Sequence, residues 1–189
     1  MSKRLFVCLT GMPGAGKTTV ASFLKEKGFA TVTMGDAVRE EAKRQDLEPT
    51  DANLGELMIK LRQDLGQGAV AHLVLQKLAR DGNTGNVVID GLRSIPEVEV
   101  LKQAGYVKLL AIHASQDTRF RHLVDRGRSD APASGDDFAG RDKRELSVGI
   151  SEAIALADET ISNNELTLDQ LKRHAYGIVE AWLEEAKNS

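Results

Sequence analysis

Residues Gly11, Met12, Pro13, Gly14, Ala15, Gly16, Lys17 and Thr18 match the spacing G-x-x-x-x-G-K-[ST], whose chemistry is the binding of a polyphosphate. The three glycines let the backbone curl tightly enough for successive N–H groups to converge on an anion. A helix must then begin, so that its unpaired N–H groups and positive dipole end face the same charge. Lys17 is long enough to reach the β- and γ-phosphates of ATP as a point charge, and the Thr18 hydroxyl suits Mg²⁺. ATP and Mg²⁺ are therefore the expected ligands, with Gly11 through Thr18 and the next residue, Thr19, as their contacts. The alternative is a glycine-rich turn that joins strand to helix and binds nothing.

Three further groups of residues could act with this loop. Asp90 closes an apolar run, Asn86–Asp90, and is read either as a carboxylate serving Mg²⁺ or the acceptor, or as an aspartate that starts a turn. Gly91 follows it, so the glutamate that water-activating ATPases place there is missing, and water is not the expected acceptor. Arg93 stands where a GTPase D-x-x-G would need glycine, and no N-K-x-D occurs. The second group is Met34-Gly35-Asp36-Ala37-Val38-Arg39. There Asp36 is either a helix cap or part of the site, and Arg39 offers a planar guanidinium to a phosphate. Arg93 is a second such candidate. Third, Arg119, Arg121, Arg126, Arg128, Arg141 and Arg144 bracket a Gly/Pro-containing stretch, as a closing lid over a polyphosphate would require. Arg126, Arg128, Arg141 and Arg144 sit at its hinges and are the chosen candidates. Arg119 and Arg121 read more simply as solvated helix residues.

These residues need a scaffold that brings them to one edge. Apolar runs alternate with amphipathic helices, the pattern of a parallel α/β sheet covered on both faces. Strands are expected at Leu5–Leu9, Phe29–Thr33, Asn86–Asp90, Tyr106–Ile112 and Thr160–Ser162. Helices follow Lys17, run from Gly35 to about Asp46, and continue as a helical insertion through Leu54, Leu57, Met58, Leu61 and Leu65, then Val70, Leu73, Val74 and Leu78. Ser94-Ile95-Pro96-Glu97 and Thr167 to Gln170 have capping-box spacing. A helix runs from Ser115 through Val124, Gly127–Gly140 is expected to be a loop or flap, and Leu146, Ile150, Ile154 and Ala157 define one helix after it. Trp182 on the last helix is expected to anchor the core.

Composition sets outer limits. The chain of 189 residues carries a formal net charge of −3 with 41% hydrophobic and 28% charged residues, an ordinary balance for one soluble domain. A net negative charge argues against a general nucleic-acid partner. The single Cys8, inside the first apolar run, excludes a disulfide framework and fits a reducing compartment. The N-terminal apolar run is too short for a signal peptide and no stretch approaches a membrane span, so a cytoplasmic protein without a membrane partner is expected. The oligomeric state, monomer or homodimer, stays open.

Together these motifs resemble the nucleoside monophosphate kinase group of P-loop kinases over nearly the whole chain. Gly35-Asp36-x-x-Arg39 and Asp90-Gly91-x-Arg93 are similar to the acceptor-phosphate motifs of adenylate kinases, where the two arginines grip the acceptor. Ala157-Asp158-Glu159-Thr160-Ile161-Ser162-Asn163 instead resembles dephospho-CoA kinases, where such a segment lies beside the adenine of ATP, which implies a nucleotide contact for Asn163. Arg141-Asp142-Lys143-Arg144-Glu145-Leu146-Ser147-Val148-Gly149 departs from the adenylate-kinase lid. The closest overall resemblance is to uncharacterised archaeal proteins described as nucleotide-kinase-related. The resemblance implies a P-loop NTPase three-layer α/β/α sandwich with a five-stranded parallel sheet, a helical acceptor-binding region at about 35–80 and a lid at about 126–145, all within one domain. It further implies an ATP-dependent phosphotransferase whose partner is a small phosphorylated acceptor, a nucleoside monophosphate first and dephospho-CoA second. A regulatory nucleotide-binding switch is the rival reading.

Overall fold

The computed structural model describes residues 4–127 and 132–188. Five strands, β1 (Leu5–Thr10), β2 (Ala30–Thr33), β3 (Val87–Asp90), β4 (Tyr106–His113) and β5 (Glu159–Ser162), form one sheet in the order β2-β3-β1-β4-β5. Every pairing is parallel, so each strand must return through a crossover, and the helices of those crossovers cover the faces. Alternation along β1 sorts its side chains. Phe6 and Cys8 enter one core with helices α2 (Met34–Arg44), α3 (Asp51–Leu65), α4 (Ala69–Arg80) and α5 (Ile95–Lys102). Leu5, Val7 and Leu9 enter the other with α1 (Lys17–Glu26) and α9 (Leu168–Lys187), where Trp182 is 3% exposed. The expected three-layer α/β/α arrangement is thus present. Cys8 is wholly buried, and burial pushes its thiol pKa up, which leaves it a packing residue.

The register aligns the chemistry. Leu9 and Thr33 both lie opposite Asp90, so the ends of β1, β2 and β3 deliver the glycine loop, the start of α2 and Asp90 to one edge. At the start of α2 the cap is Thr33, whose hydroxyl accepts from the Asp36 N–H at 2.9 Å. Asp36 is therefore a first-turn residue and not the cap.

Two expectations fail between β4 and β5. Residues Gly135–Gly140 are not loop; they open α7 (Gly135–Ser147) after α6 (Gln116–Asp125). Ser134 caps it by accepting from the Asp137 N–H, Asp136 and Asp137 complement the dipole, and Phe138 is buried edge-on against Phe120 at 5.5 Å. The single helix expected across Leu146–Ala157 is two, because Gly149 adopts φ 96° and α8 (Ile150–Ala155) starts anew. Leu65 and Leu146, read as members of apolar stripes, are 49% and 50% exposed, and Leu168 at the start of α9 is 66% exposed.

Candidate functional site

The glycine loop is held by its carbonyls. Lys17 Nζ donates to the Gly11 and Met12 oxygens at 2.6 and 3.2 Å. Arg119 Nη1 donates to the Pro13 oxygen at 3.1 Å, His122 Nδ1 meets the Gly14 oxygen at 3.0 Å, and Asn163 Nδ2 donates to the Ala15 oxygen at 2.9 Å. A carbonyl can only accept, so the imidazole carries its proton on Nδ1 here. Five consecutive carbonyls thus meet side-chain donors: Lys17 on α1, Arg119 and His122 on α6, and Asn163 just past β5. The glycines serve this docking too. A side chain at Gly11 would lie 2.2 Å from the Ile112 oxygen, and one at Gly14 would lie 2.6 Å from the Arg119 oxygen.

Helix α1 begins on this loop without any side-chain cap and with no acidic residue in its first turn. The Thr19 N–H reaches the Gly16 oxygen at 3.1 Å, whereas the N–H groups before it start the helix, where intrahelical partners run out and no acidic side chain compensates the dipole, which is the environment a phosphate fills. Burial drives Lys17 down to about 8, against the opposing pull of Asp90 and Glu145. Burial likewise raises Asp90, partly offset by Lys17 and Arg93.

One cavity of about 630 Å³ is lined by Gly11, Gly14, Gly16, Lys17, Thr18, Thr19, Arg39, Asp90, Arg93, Arg126, Arg141 and Asn163. Pro13 also lines it, whereas Met12 and Ala15 are tied into the loop's hydrogen bonds. Arg144 faces a neighbouring cavity of about 1140 Å³ that shares Arg39, Arg93 and Arg141. Arg128 lies outside the described residues.

Within the site Arg39 folds back on Asp36 at 2.6 Å, an exposed pair, and a side chain at Gly35 would sit 3.4 Å from its guanidinium. Arg93 is held more tightly. It donates Nε and Nη2 to the two oxygens of Glu145 at 2.7 and 3.2 Å, and Nη1 to the Gly91 oxygen at 3.2 Å. Burial alone would lower its pKa, yet the Glu145 pairing leaves it raised. Glu97 accepts from the N–H groups of Arg93 and Ser94 at 2.9 and 3.1 Å, fixing the turn after Asp90.

Mg²⁺ fits the residues present. Oδ1 of Asp90 is buried and has no hydrogen-bond partner, Thr18 lines the same cavity, and Mg²⁺ is characteristically bound by one or two carboxylates together with substrate phosphates. Among the described residues no cluster of three or more His, Cys, Asp or Glu could hold a metal alone. No helix among them is long and apolar enough to cross a membrane.

Arg119 reverses its expected role. It is 4% exposed, pairs with Asp142 of α7 through bonds of 2.9 and 2.6 Å, and lies over the Phe138 ring at 4.8 Å. Arg121, in contrast, is exposed, as expected. His122 and Asp142 were not visible as site residues, and Asn163 spends its amide on the loop. The contacts of Arg119, His122 and Asn163 with the loop carbonyls span 106, 108 and 148 positions, and no local spacing announces them.

Residues 10–138 match the family model described as AAA domain. A UPF0200 protein from Hyperthermus butylicus is 40% identical over 172 residues, 91% of this chain and 91% of that protein. One from Pyrococcus furiosus is 43% identical over 179 residues, 93% and 96% of the two chains. Among solved structures, TT1252 from Thermus thermophilus superposes with a TM-score of 0.64 at 17% identity, covering 94% of this chain and 97% of its own. Shikimate kinase from Bacteroides thetaiotaomicron gives 0.62 at 19%, covering 94% and 98%. At these identities the two structures show a shared fold.

Proposed function

The chain belongs to the UPF0200 protein family, and its residues 10–138 to the family described as AAA domain; from that premise we propose that it is an ATP-dependent kinase that phosphorylates a small phosphorylated acceptor, a nucleoside monophosphate first. One observation carries the reading: the glycine loop, Asp90 and the arginines Arg39, Arg93 and Arg141 line one cavity. A phosphate acceptor already bears nucleophilic oxygens, so transfer needs positioning and charge neutralisation, which amides and arginines provide.

In this mechanism the loop amides and the start of α1 hold the β- and γ-phosphates, and Lys17 turns from the Gly11 and Met12 carbonyls onto them. Thr18 and Asp90 would hold Mg²⁺, which supplies neutralisation of the phosphate charge. Arg39 and Arg93 bind the acceptor phosphate, and one of its oxygens attacks the γ-phosphorus as the bond to the β–γ bridging oxygen breaks. Arg126, Arg128, Arg141 and Arg144 are assigned to the charge spread over the transferring group, on a lid at about 126–145, while the helices at about 35–80 receive the acceptor. Asn163 and the exposed Leu168 line the donor side of the cavity, where the adenine is placed. Gly91 leaves no side chain there to activate water.

A larger acceptor such as dephospho-CoA is the second reading, favoured by the neighbouring cavity of about 1140 Å³, beyond the roughly 300–1,000 Å³ of ordinary small-molecule sites. The test is ADP formation from Mg·ATP with a panel of mononucleotides and dephospho-CoA. Stimulation by one class identifies the acceptor, and turnover indifferent to every acceptor counts for a regulatory ATPase instead.

A further inference from the structure

The acceptor side of the cavity carries an anion of its own. All three nitrogens of the Arg93 guanidinium are engaged: Nε and Nη2 on Glu145, and Nη1 on the Gly91 carbonyl. The two-pronged grip on Glu145 is the same geometry by which a guanidinium takes a ligand carboxylate or phosphate. Both partners line the cavity that holds Lys17 and Asp90, and their side chains are 34% and 16% exposed. One turn earlier on α7, Asp142 is locked on buried Arg119, with exposures of 8% and 5%. Helix α7 is therefore anchored at Asp142, while Glu145 sits at the cavity wall where a ligand can reach its partner.

We propose that Glu145 is a specificity-determining residue that occupies, on Arg93, the place of the acceptor's anionic group and thereby admits phosphate monoesters in preference to carboxylates. The inference rests on the reading of Arg93 as an acceptor ligand. A carboxylate that displaced Glu145 would exchange like for like, one charge and two oxygens on the same guanidinium, and would leave Glu145 without its partner. A phosphate monoester carries about −1.5 to −2 charges and three terminal oxygens near neutral pH. It takes over Arg93 and keeps an oxygen for Arg39, which lines the same cavity. Glu145 thus sets a threshold that a dianion crosses and a monoanion does not.

The experiment follows the Arg93 Nε–H resonance by nitrogen-15 NMR in the full chain, with assignment by its loss in Arg93→Lys. Inorganic phosphate and acetate serve as probes against wild type and Glu145→Gln, a change that keeps the side-chain shape and removes its charge. In wild type, phosphate is expected to move the resonance and acetate at equal concentration to leave it in place. In Glu145→Gln the phosphate midpoint should fall at least threefold and acetate should now move the signal. Weaker phosphate binding in Glu145→Gln would make Glu145 a support for Arg93 and overturn the inference. So would an unchanged preference between the probes, or a resonance that neither probe moves in either protein. Failure of the kinase reading is separately visible as acceptor-independent ATP turnover while the Arg93 resonance still responds to phosphate.

Discussion

Removing Asp142 should destabilise the protein far more than removing the carboxylate of the Arg39–Asp36 or the Arg93–Glu145 pair. Asp142→Ala leaves Arg119 buried at 4% exposure with its charge unopposed, its Nε already without a partner and only the Pro13 carbonyl to receive Nη1. Breaking one side of a buried pair costs about 3–5 kcal/mol. For a chain of this size each kcal/mol lowers Tm by roughly 2–4 °C, so the expected loss is about 6–20 °C. The pair Arg39–Asp36, with side chains 53% and 55% exposed, should cost below about 1 kcal/mol when Asp36 is replaced, and Glu145→Ala should fall between. Calorimetric unfolding of the three variants checks the order. A second variant separates stability from site geometry: Arg119→Met with Asp142→Leu removes both charges and should recover much of the lost stability. It also strips the donor from the Pro13 oxygen, so ATP affinity should stay reduced. Loss below about 1 kcal/mol in Asp142→Ala would refute the reasoning, as would return of ATP affinity along with stability in the double variant.

Other expectations follow from the same geometry. Lys17→Ala should lower kcat by orders of magnitude, whereas Arg39→Ala should chiefly raise the acceptor KM with ATP binding retained; steady-state kinetics with calorimetric titration of ATP distinguishes them. Lys17, held at about 8 against an ordinary 10.5, has given up in the native state a proton that the unfolded chain keeps between those values. Its contribution to the stability of the ligand-free protein therefore rises with pH across that window. ATP reverses the preference, because phosphates favour the charged amine: binding near pH 8 should take up a proton, and affinity should fall as pH rises past about 8. Titrations in two buffers of different ionisation enthalpy measure that uptake, which Lys17→Met should abolish. Asn163→Ala should cost about 1–3 kcal/mol by leaving the Ala15 carbonyl without its donor, read as a lower unfolding midpoint in denaturant.

What could be read directly from the residues was what is local. The glycine loop, the apolar strands and Asp90 at a strand end depend on spacing within a few residues, and the pairing of β1 with β3 puts the loop and Asp90 at one sheet edge. Helix α7 had a local signal too, Ser134 followed three residues later by Asp137, but it lay among Gly, Pro, Ser and Asp residues that equally describe a loop. Gly149 broke a helix that its apolar period would have continued. Arg119 was beyond local reading because its environment is made by Pro13 and Asp142, 106 positions before it and 23 after it. An arginine on an amphipathic helix reads as solvated unless its partners are known. The same holds for His122 and for the amide of Asn163, whose work on the loop carbonyls exists only once the sheet has brought β1, β4 and β5 together.

In a kinase of this kind the γ-phosphoryl group passes to an organic phosphate and not to water. The most direct test is to incubate the protein with Mg·ATP labelled in the γ-phosphoryl group and the acceptor panel, and to measure where the label goes. The label should appear in a phosphorylated acceptor, and Arg93→Ala should suppress this transfer. Label found wholly in inorganic phosphate, at a rate no acceptor changes, would contradict the kinase reading.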